Sequence, residues 1–242
     1  MQYNPDILDA LLDDDGQYRA TYHVDLCLCI DKTGSMKPIM DTVKANAMNL
    51  YNDIVNAMSA KQKVIDRFRI RVIWFGDYLA DEEPMVLYPF MDMPEEMEDY
   101  RDAVSSMKPY GGGDAPEDGL EALAYAIRSP WCTTGVKRRH IIVLFTDAPA
   151  HDLGFGKADP NYPKTGEMPD SLGKLTEMWG FKDRPGEMEN AAKRLILFAP
   201  DEGNWHTIRA GWNNVVLQPV TRDKGLREVS YQAVLDGIAN SI

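Results

Sequence analysis

The stretch His23-Val24-Asp25-Leu26-Cys27-Leu28-Cys29-Ile30 constrains this chain more than any other. It is short and nearly all apolar, the pattern of a strand buried on both faces. It runs straight into Asp31-Lys32-Thr33-Gly34-Ser35-Met36. From Met36 to Ala60, apolar residues recur at Ile39, Met40, Val43, Ala47, Leu50, Ile54, Val55 and Met58. That spacing predicts an amphipathic helix over 36–60. The motif is therefore a turn from a strand's carboxyl end to a helix's amino end, the edge of an open α/β sheet where ligands bind. Asp31, Thr33 and Ser35 alternate there with Lys32 and Gly34, and Gly34 lets the turn bend tightly. Crowded carboxylate and hydroxyl oxygens suit a hard cation such as Mg²⁺. They also suit a covalent phospho-aspartate. Helix capping needs only one such residue, not an alternating trio.

Charge narrows the partners. The formal net charge is −12, which argues against nucleic acid and against anionic membrane surfaces. The four His are scattered without zinc-site spacing. Cys27 and Cys29 share one face of a strand, in poor geometry for a bridge, and Cys132 is left over. Free thiols fit a reducing compartment. The segment Met1-Gln2-Tyr3-Asn4-Pro5-Asp6 lacks the basic and apolar blocks of a signal peptide, and no apolar run reaches membrane-spanning length. The expectation is a cytoplasmic protein with no nucleic-acid and no membrane partner.

Residues 1–20 form an acidic extension in which Ile7, Leu8, Leu11 and Leu12 suit one short amphipathic helix. The spacing then predicts strands over 23–30 and 68–75. A short strand over 85–88 returns antiparallel at the edge. A helix is expected over 93–107, with Pro94 at its start. A glycine-rich loop, Tyr110 to Gly119, leads into a helix running through Ile127. His140-Ile141-Ile142-Val143-Leu144-Phe145 is the strongest buried-strand signal and ends at Thr146-Asp147. Residues 151–190 are rich in Gly and Pro and too poor in apolar residues for a core of their own. They read as an elaborated insertion with a helix around 171–178 and another entering the next strand from Glu187. Strands over 194–199 and 214–217 and helices over 205–212 and 226–238 complete the pattern. Strands alternating with helices imply an α/β fold, a doubly wound, mostly parallel sheet with helices on both faces and one antiparallel edge strand. Residues 21–242 make up this unit.

Three loops carry oxygen ligands: Asp31/Thr33/Ser35, Asp114/Glu117 and Asp147. A doubly wound sheet gathers such loops along one edge, where carboxylates without a cation would repel one another. At this point the chain resembles a von Willebrand factor type A (VWA) domain. That family's metal-ion-dependent adhesion site (MIDAS) uses Asp-x-Ser/Thr-x-Ser on the first strand–helix turn, which Asp31-Lys32-Thr33-Gly34-Ser35 matches. It adds an Asp ending the fourth strand, often as Thr-Asp, which Thr146-Asp147 matches. The mid-chain loop Gly113-Asp114-Ala115-Pro116-Glu117 departs from the Thr-containing version. It is similar to the Asp-Ala-Pro-Glu loop in the VWA-type domains of β integrins, where the Glu is the ligand. The resemblance implies metal ligands at Asp31, Thr33, Ser35, Glu117 and Asp147, with Asp114 a co-ligand or at a neighbouring site. Thr33 and Ser35 would bind directly, and Asp31 and Asp147 mostly through water. It implies Mg²⁺ (or Mn²⁺ or Ca²⁺), no catalysis, and a protein partner whose acidic residue completes the coordination. Intracellular bacterial members often act as adaptors beside kinases, phosphatases or ATPases.

Two rivals stand beside that reading. Asp-Lys-Thr-Gly also opens the phosphorylation motif of P-type ATPases, relatives of the haloacid-dehalogenase-like phosphotransferases. Asp31 would then be a nucleophile and a Lys would neutralise the phosphoryl group. Against it, Ser35 replaces the usual Thr, the helix starts at once, and no Gly-Asp-Gly-x-x-Asp motif follows. The other rival keeps the fold as a metal-independent scaffold. Asp77 is expected as a turn residue, His151 at the surface, and Trp179, Trp205 and Trp212 packed against the late helices.

Overall fold

The computed structural model describes residues 20–109, 116–164, 166–221 and 226–242. The expected amino-terminal helix and Asp114 lie outside the described residues. Strand β1 spans Ala20–Asp31. It pairs in parallel with β2 (Lys63–Phe75) on one side and β5 (Lys137–Phe145) on the other. Two parallel neighbours and two covered faces explain why the carboxyl-terminal halves of β1 and β5 read as apolar runs. Alternate residues divide between the faces. Val24, Leu26, Leu28 and Ile30 enter one core with Ile141, Val143 and Phe145. Cys27 and Cys29 enter the other with Ile142 and Leu144.

The sheet continues through β6 (Lys193–Ala199) to β7 (Val215–Pro219), both parallel. At the opposite edge lie β3 (Met85–Leu87) and β4 (Met91–Met93), antiparallel to β2. The order β3-β2-β1-β5-β6-β7, with β4 also on β2, is that of a doubly wound sheet. The first core is covered by α1 (Lys37–Ser59), α2 (Met97–Ser106) and α6 (Tyr231–Ser241). The second is covered by α3 (Gly119–Ile127), α4 (Leu172–Trp179) and α5 (Gly203–Gly211). Among the described residues, no helix is long and apolar enough to cross a membrane.

Four elements differ from expectation. The antiparallel edge is present but broken in two. Pairing slips by one residue between Ile73↔Leu87 and Ile70↔Met91, across Tyr88-Pro89-Phe90. Proline has no N–H to donate there, and edges tolerate such bulges. The helix expected from 93 begins at Met97, because Met91–Met93 extends the edge instead. No helix enters β6 from Glu187. A tight turn does so, with the N–H groups of Ala192 and Lys193 both donating to the Glu189 carbonyl. The closing helix is a 3-10 turn over Leu226–Glu228 and then α6, whose start is capped by Ser230 accepting from the Ala233 N–H.

The 151–190 segment draws on the second core for its order. Trp179 is fully buried, stacks on Trp212 at 5.2 Å and donates to the Asn213 carbonyl. Trp205 is also fully buried and donates to the Ala148 carbonyl. The three tryptophans pack as expected. At Gly180, where φ is +79°, a Cβ would stand 2.1 Å from the Gly186 nitrogen, so this turn requires glycine.

Candidate metal centre

The sheet reverses its winding direction between β1 and β5, and at their carboxyl ends Asp31, Thr33, Ser35 and Asp147 come together. Asp31 ends β1 and is completely buried. Its Oδ1 accepts from the Thr33 N–H at 2.8 Å and the Thr33 hydroxyl at 2.6 Å. Its Oδ2 accepts from the Thr146 hydroxyl at 2.8 Å. Thr33 Oγ1 lies 3.4 Å from Ser35 Oγ, and Ser35 donates to Asp147 Oδ1 at 2.9 Å. One hydrogen-bonded chain of oxygens thus joins the turn after β1 to the loop after β5. Burial pushes the Asp31 carboxyl up to about 6, against the bonds from Thr33 and Thr146, and the charge of Asp147 adds to the rise.

These hydroxyls are not helix caps. Residues Gly34–Met36 form a 3-10 turn ahead of α1, and neither Thr33 nor Met36, at the two N-cap positions, makes a side-chain cap. Pro38 opens α1, where its missing N–H is harmless. The hydroxyls are therefore free to act toward the loop edge.

Glu117 comes to the same edge along another path. Its N–H donates to the Pro149 carbonyl, and its carbonyl accepts from the His151 N–H, tying it to the loop after β5. The side chain is buried and its Oε2 has no hydrogen-bond partner. Burial, then the charges of Asp31, Asp77, Asp81 and Asp118, push this carboxyl up to about 9. An unpartnered buried carboxyl is costly, and a cation relieves both the desolvation and the repulsion. Among the described residues, no three His, Cys, Asp or Glu side chains are placed to hold a metal by themselves. The donor set instead mixes hydroxyls with carboxylates, a hard-oxygen chemistry that fits a divalent cation.

Behind Glu117 lies a layer that the sequence did not reveal. Asp77 Oδ1 accepts from the Leu79 N–H, as a turn residue should, while Oδ2 lies 3.3 Å from His151 Nε2. His151 is not at the surface as expected. Its side chain is 10% exposed, stacked 3.9 Å from the Phe155 ring and held by Asp77. Asp118 accepts from the Tyr78 N–H, and Glu121 from the Tyr162 hydroxyl and the Gly154 N–H. Thr146 was legible only through its adjacency to Asp147. Lys32 turns to the loop before β3, where its Nζ donates to the Glu83 carbonyl.

A model of the von Willebrand factor A domain family matches residues 25–157, more than half of the chain. The chain belongs to the von Willebrand factor A domain family. The match takes in Asp31, Thr33, Ser35, Glu117 and Asp147. The alpha-protein kinase vwkA of Dictyostelium discoideum is 24% identical over 145 residues, 60% of this chain and 21% of that protein. The chain thus spans about a fifth of that curated relative. Among solved structures, the pilus adhesin SpaC of Lactobacillus rhamnosus GG overlays 93% of this VWA chain and 31% of its own, with TM-score 0.52 and 13% identity. That likeness supports the fold alone. Proximal thread matrix protein 1 of the mussel byssus, with zinc in its MIDAS motif, covers 91% of this chain and 49% of its own at TM-score 0.46 and 13% identity. So low an overlap transfers nothing from its metal site to this one.

Proposed function

We propose that this VWA domain is a non-enzymatic, divalent-metal-dependent protein-binding module, an adaptor of the kind found inside bacterial cells. The observation that carries this is the buried Glu117 carboxyl, whose Oε2 has no hydrogen-bond partner and which is within the field of Asp31, at the edge where Asp31, Thr33, Ser35 and Asp147 join. Thr33 and Ser35 hold the cation through their hydroxyls, Glu117 supplies charge, and Asp31 and Asp147 orient the hydroxyls by the bonds they already accept. Asp114, on the same loop as Glu117, is the alternative charged ligand. A bound Mg²⁺ (or Mn²⁺ or Ca²⁺) would supply an open coordination position for a partner's carboxylate. Both oxygens of Asp31 are already engaged and Lys32 is committed to Glu83, so the geometry favours this role over a phosphorylated Asp31. The three free cysteines accord with a cytoplasmic setting.

Metal should stabilise the fold. A ligand that binds only the folded chain adds about 2.7 kcal/mol at roughly 100 times its dissociation constant. The melting temperature should rise with Mg²⁺ or Mn²⁺ and fall back with chelator. Thr33→Ala, Ser35→Ala and Glu117→Gln should fold yet lose that response, and calorimetric titration should show their weakened Mg²⁺ affinity. Asp114→Ala should lose less than Glu117→Gln; the reverse order would move the charged ligand to Asp114. A melting curve indifferent to all three cations would leave the scaffold reading standing. Phosphate-ester hydrolysis abolished by Asp31→Asn would replace the proposal with the phosphotransferase one.

A further inference from the structure

At the other end of the sheet, a second constellation sits below the amino-terminal halves of β1, β2 and β5. Cys132 Sγ lies 3.7 Å from His23 Nδ1, and His23 Nε2 lies 2.9 Å from Asp66 Oδ2. Thiol, imidazole and carboxylate thus stand in line, the order in which a base activates a nucleophile and a third group fixes the base. The Thr134 hydroxyl is 3.2 Å from the same sulfur, and Arg67 Nη1 is 4.0 Å away. The backbone is arranged to permit this. Gly135, at φ +94°, lies so close that a Cβ there would stand 2.6 Å from the His23 ring.

Cys132 also lines a cavity of about 410 Å³, with Trp131, Thr133, Arg138, His140 and Met188 among its walls. That volume is in the range of small-molecule sites. His140 is 4% exposed, and its Nε2 bonds the Cys132 carbonyl. Its Nδ1 is buried without a hydrogen-bond partner, so a residue that lines this cavity with Cys132 holds an unspent polar group. Cys27 and Cys29 offer the contrast. Both are completely buried with their sulfurs 4.0 Å apart, and burial pushes the Cys29 thiol well up.

We propose that Cys132 is a nucleophilic thiol that captures a small-molecule disulfide, with His23 carrying its proton and Asp66 orienting His23. The Cys132 proton passes to His23 Nδ1. The thiolate attacks one sulfur of the disulfide, a new S–S bond forms to Cys132 and the old one breaks. The departing thiolate takes the proton from His23, so one thiol and one disulfide become one mixed disulfide and one new thiol. The electrostatics agree with the geometry. Burial opposes the thiolate, but the bonds from Thr134 and His23 outweigh it and hold the Cys132 thiol below its ordinary value, with Asp25 the opposing charge. Burial likewise opposes the His23 imidazolium, and the bonds to Cys132 and Asp66 raise it nonetheless. Arg67 is itself paired with Asp92, and Arg138 with Glu189.

Glutathione disulfide is the probe. Incubated with the folded protein at pH 7, it should leave one reducible adduct, mapped by mass spectrometry to Cys132 and not to Cys27 or Cys29. The rate should exceed that of the same cysteine in the urea-unfolded chain by about tenfold or more, and should level off below the pH at which a free thiol near ~8.5 titrates. Asp66→Asn changes an exposed side chain and should keep the fold while slowing the adduct, and His23→Asn should slow it further. An adduct that forms no faster than in the unfolded chain, or that ignores both substitutions, overturns the proposal, as does modification of Cys27 or Cys29 first.

Discussion

Asp25→Ala is expected to destabilise the fold by about 3–5 kcal/mol, the usual result of removing one partner from a buried ion pair. The Asp25 side chain is 2% exposed and that of Arg69 is 14% exposed. Arg69 grips Asp25 with two parallel bonds, Nε to Oδ1 at 2.8 Å and Nη2 to Oδ2 at 2.7 Å. Asp25 also accepts from the Cys132 N–H at 2.6 Å. Without the carboxylate, Arg69 keeps the Pro130 carbonyl and the Phe90 ring but no countercharge, and the Cys132 N–H loses its acceptor. The paired carboxylate holds the Arg69 guanidinium above its ordinary value, through hydrogen bonding first. Urea unfolding measures the loss. Asp25→Leu combined with Arg69→Met should recover much of it, because that removes both charges from the interior. A loss under about 1 kcal/mol for Asp25→Ala would mean that the pair is solvated in solution and not the lock described here.

Asp25 also shows where sequence reasoning reaches its limit. The strand around it was legible because period and composition are local properties, and β1, β5 and α1 follow directly from them. The oxygen donors of the candidate metal centre were legible for the same reason. Asp31, Thr33 and Ser35 are neighbours in one turn, and Asp147 directly follows the strongest strand. What escaped was chemistry assembled across distance. Arg69 lies 44 residues from Asp25 and His151 lies 74 from Asp77. Cys132 lies 109 from His23. No spacing rule links such pairs; only the parallel register of β1 between β2 and β5 brings them together. Met91–Met93 escaped for another reason. Pro94 reads as a helix start, yet it lies ahead of the helix, whose N-cap is Glu96, and the three residues before it finish an edge strand instead.

A polar residue at a strand's first position ordinarily faces solvent, yet Lys193 opens β6 completely buried. Its Nζ donates to the carbonyls of Trp179 and Gly180 and stands 4.7 Å from the Trp179 ring centroid. These contacts close the end of the 151–190 segment onto the sheet. They are dipoles and a ring face, not a countercharge, and burial pushes the ammonium down to about 8. In the unfolded chain the same group titrates near ~10.4. Below about pH 8 both states hold the proton and the folded protein bears the whole cost of burying the charge, about 3 kcal/mol. Between about 8 and 10.4 the unfolded state binds more protons than the folded one, so this contribution makes stability rise with pH. Lys193→Met has no such contribution, and comparison with it cancels the other groups that titrate in the window. Urea unfolding of both proteins at pH 7 and pH 10 should show the parent gaining about 2–3 kcal/mol on the variant, most of the full cost. A difference that stays flat across that window would show that Lys193 keeps its proton when folded, with the two carbonyls and the tryptophan ring solvating it as well as water does.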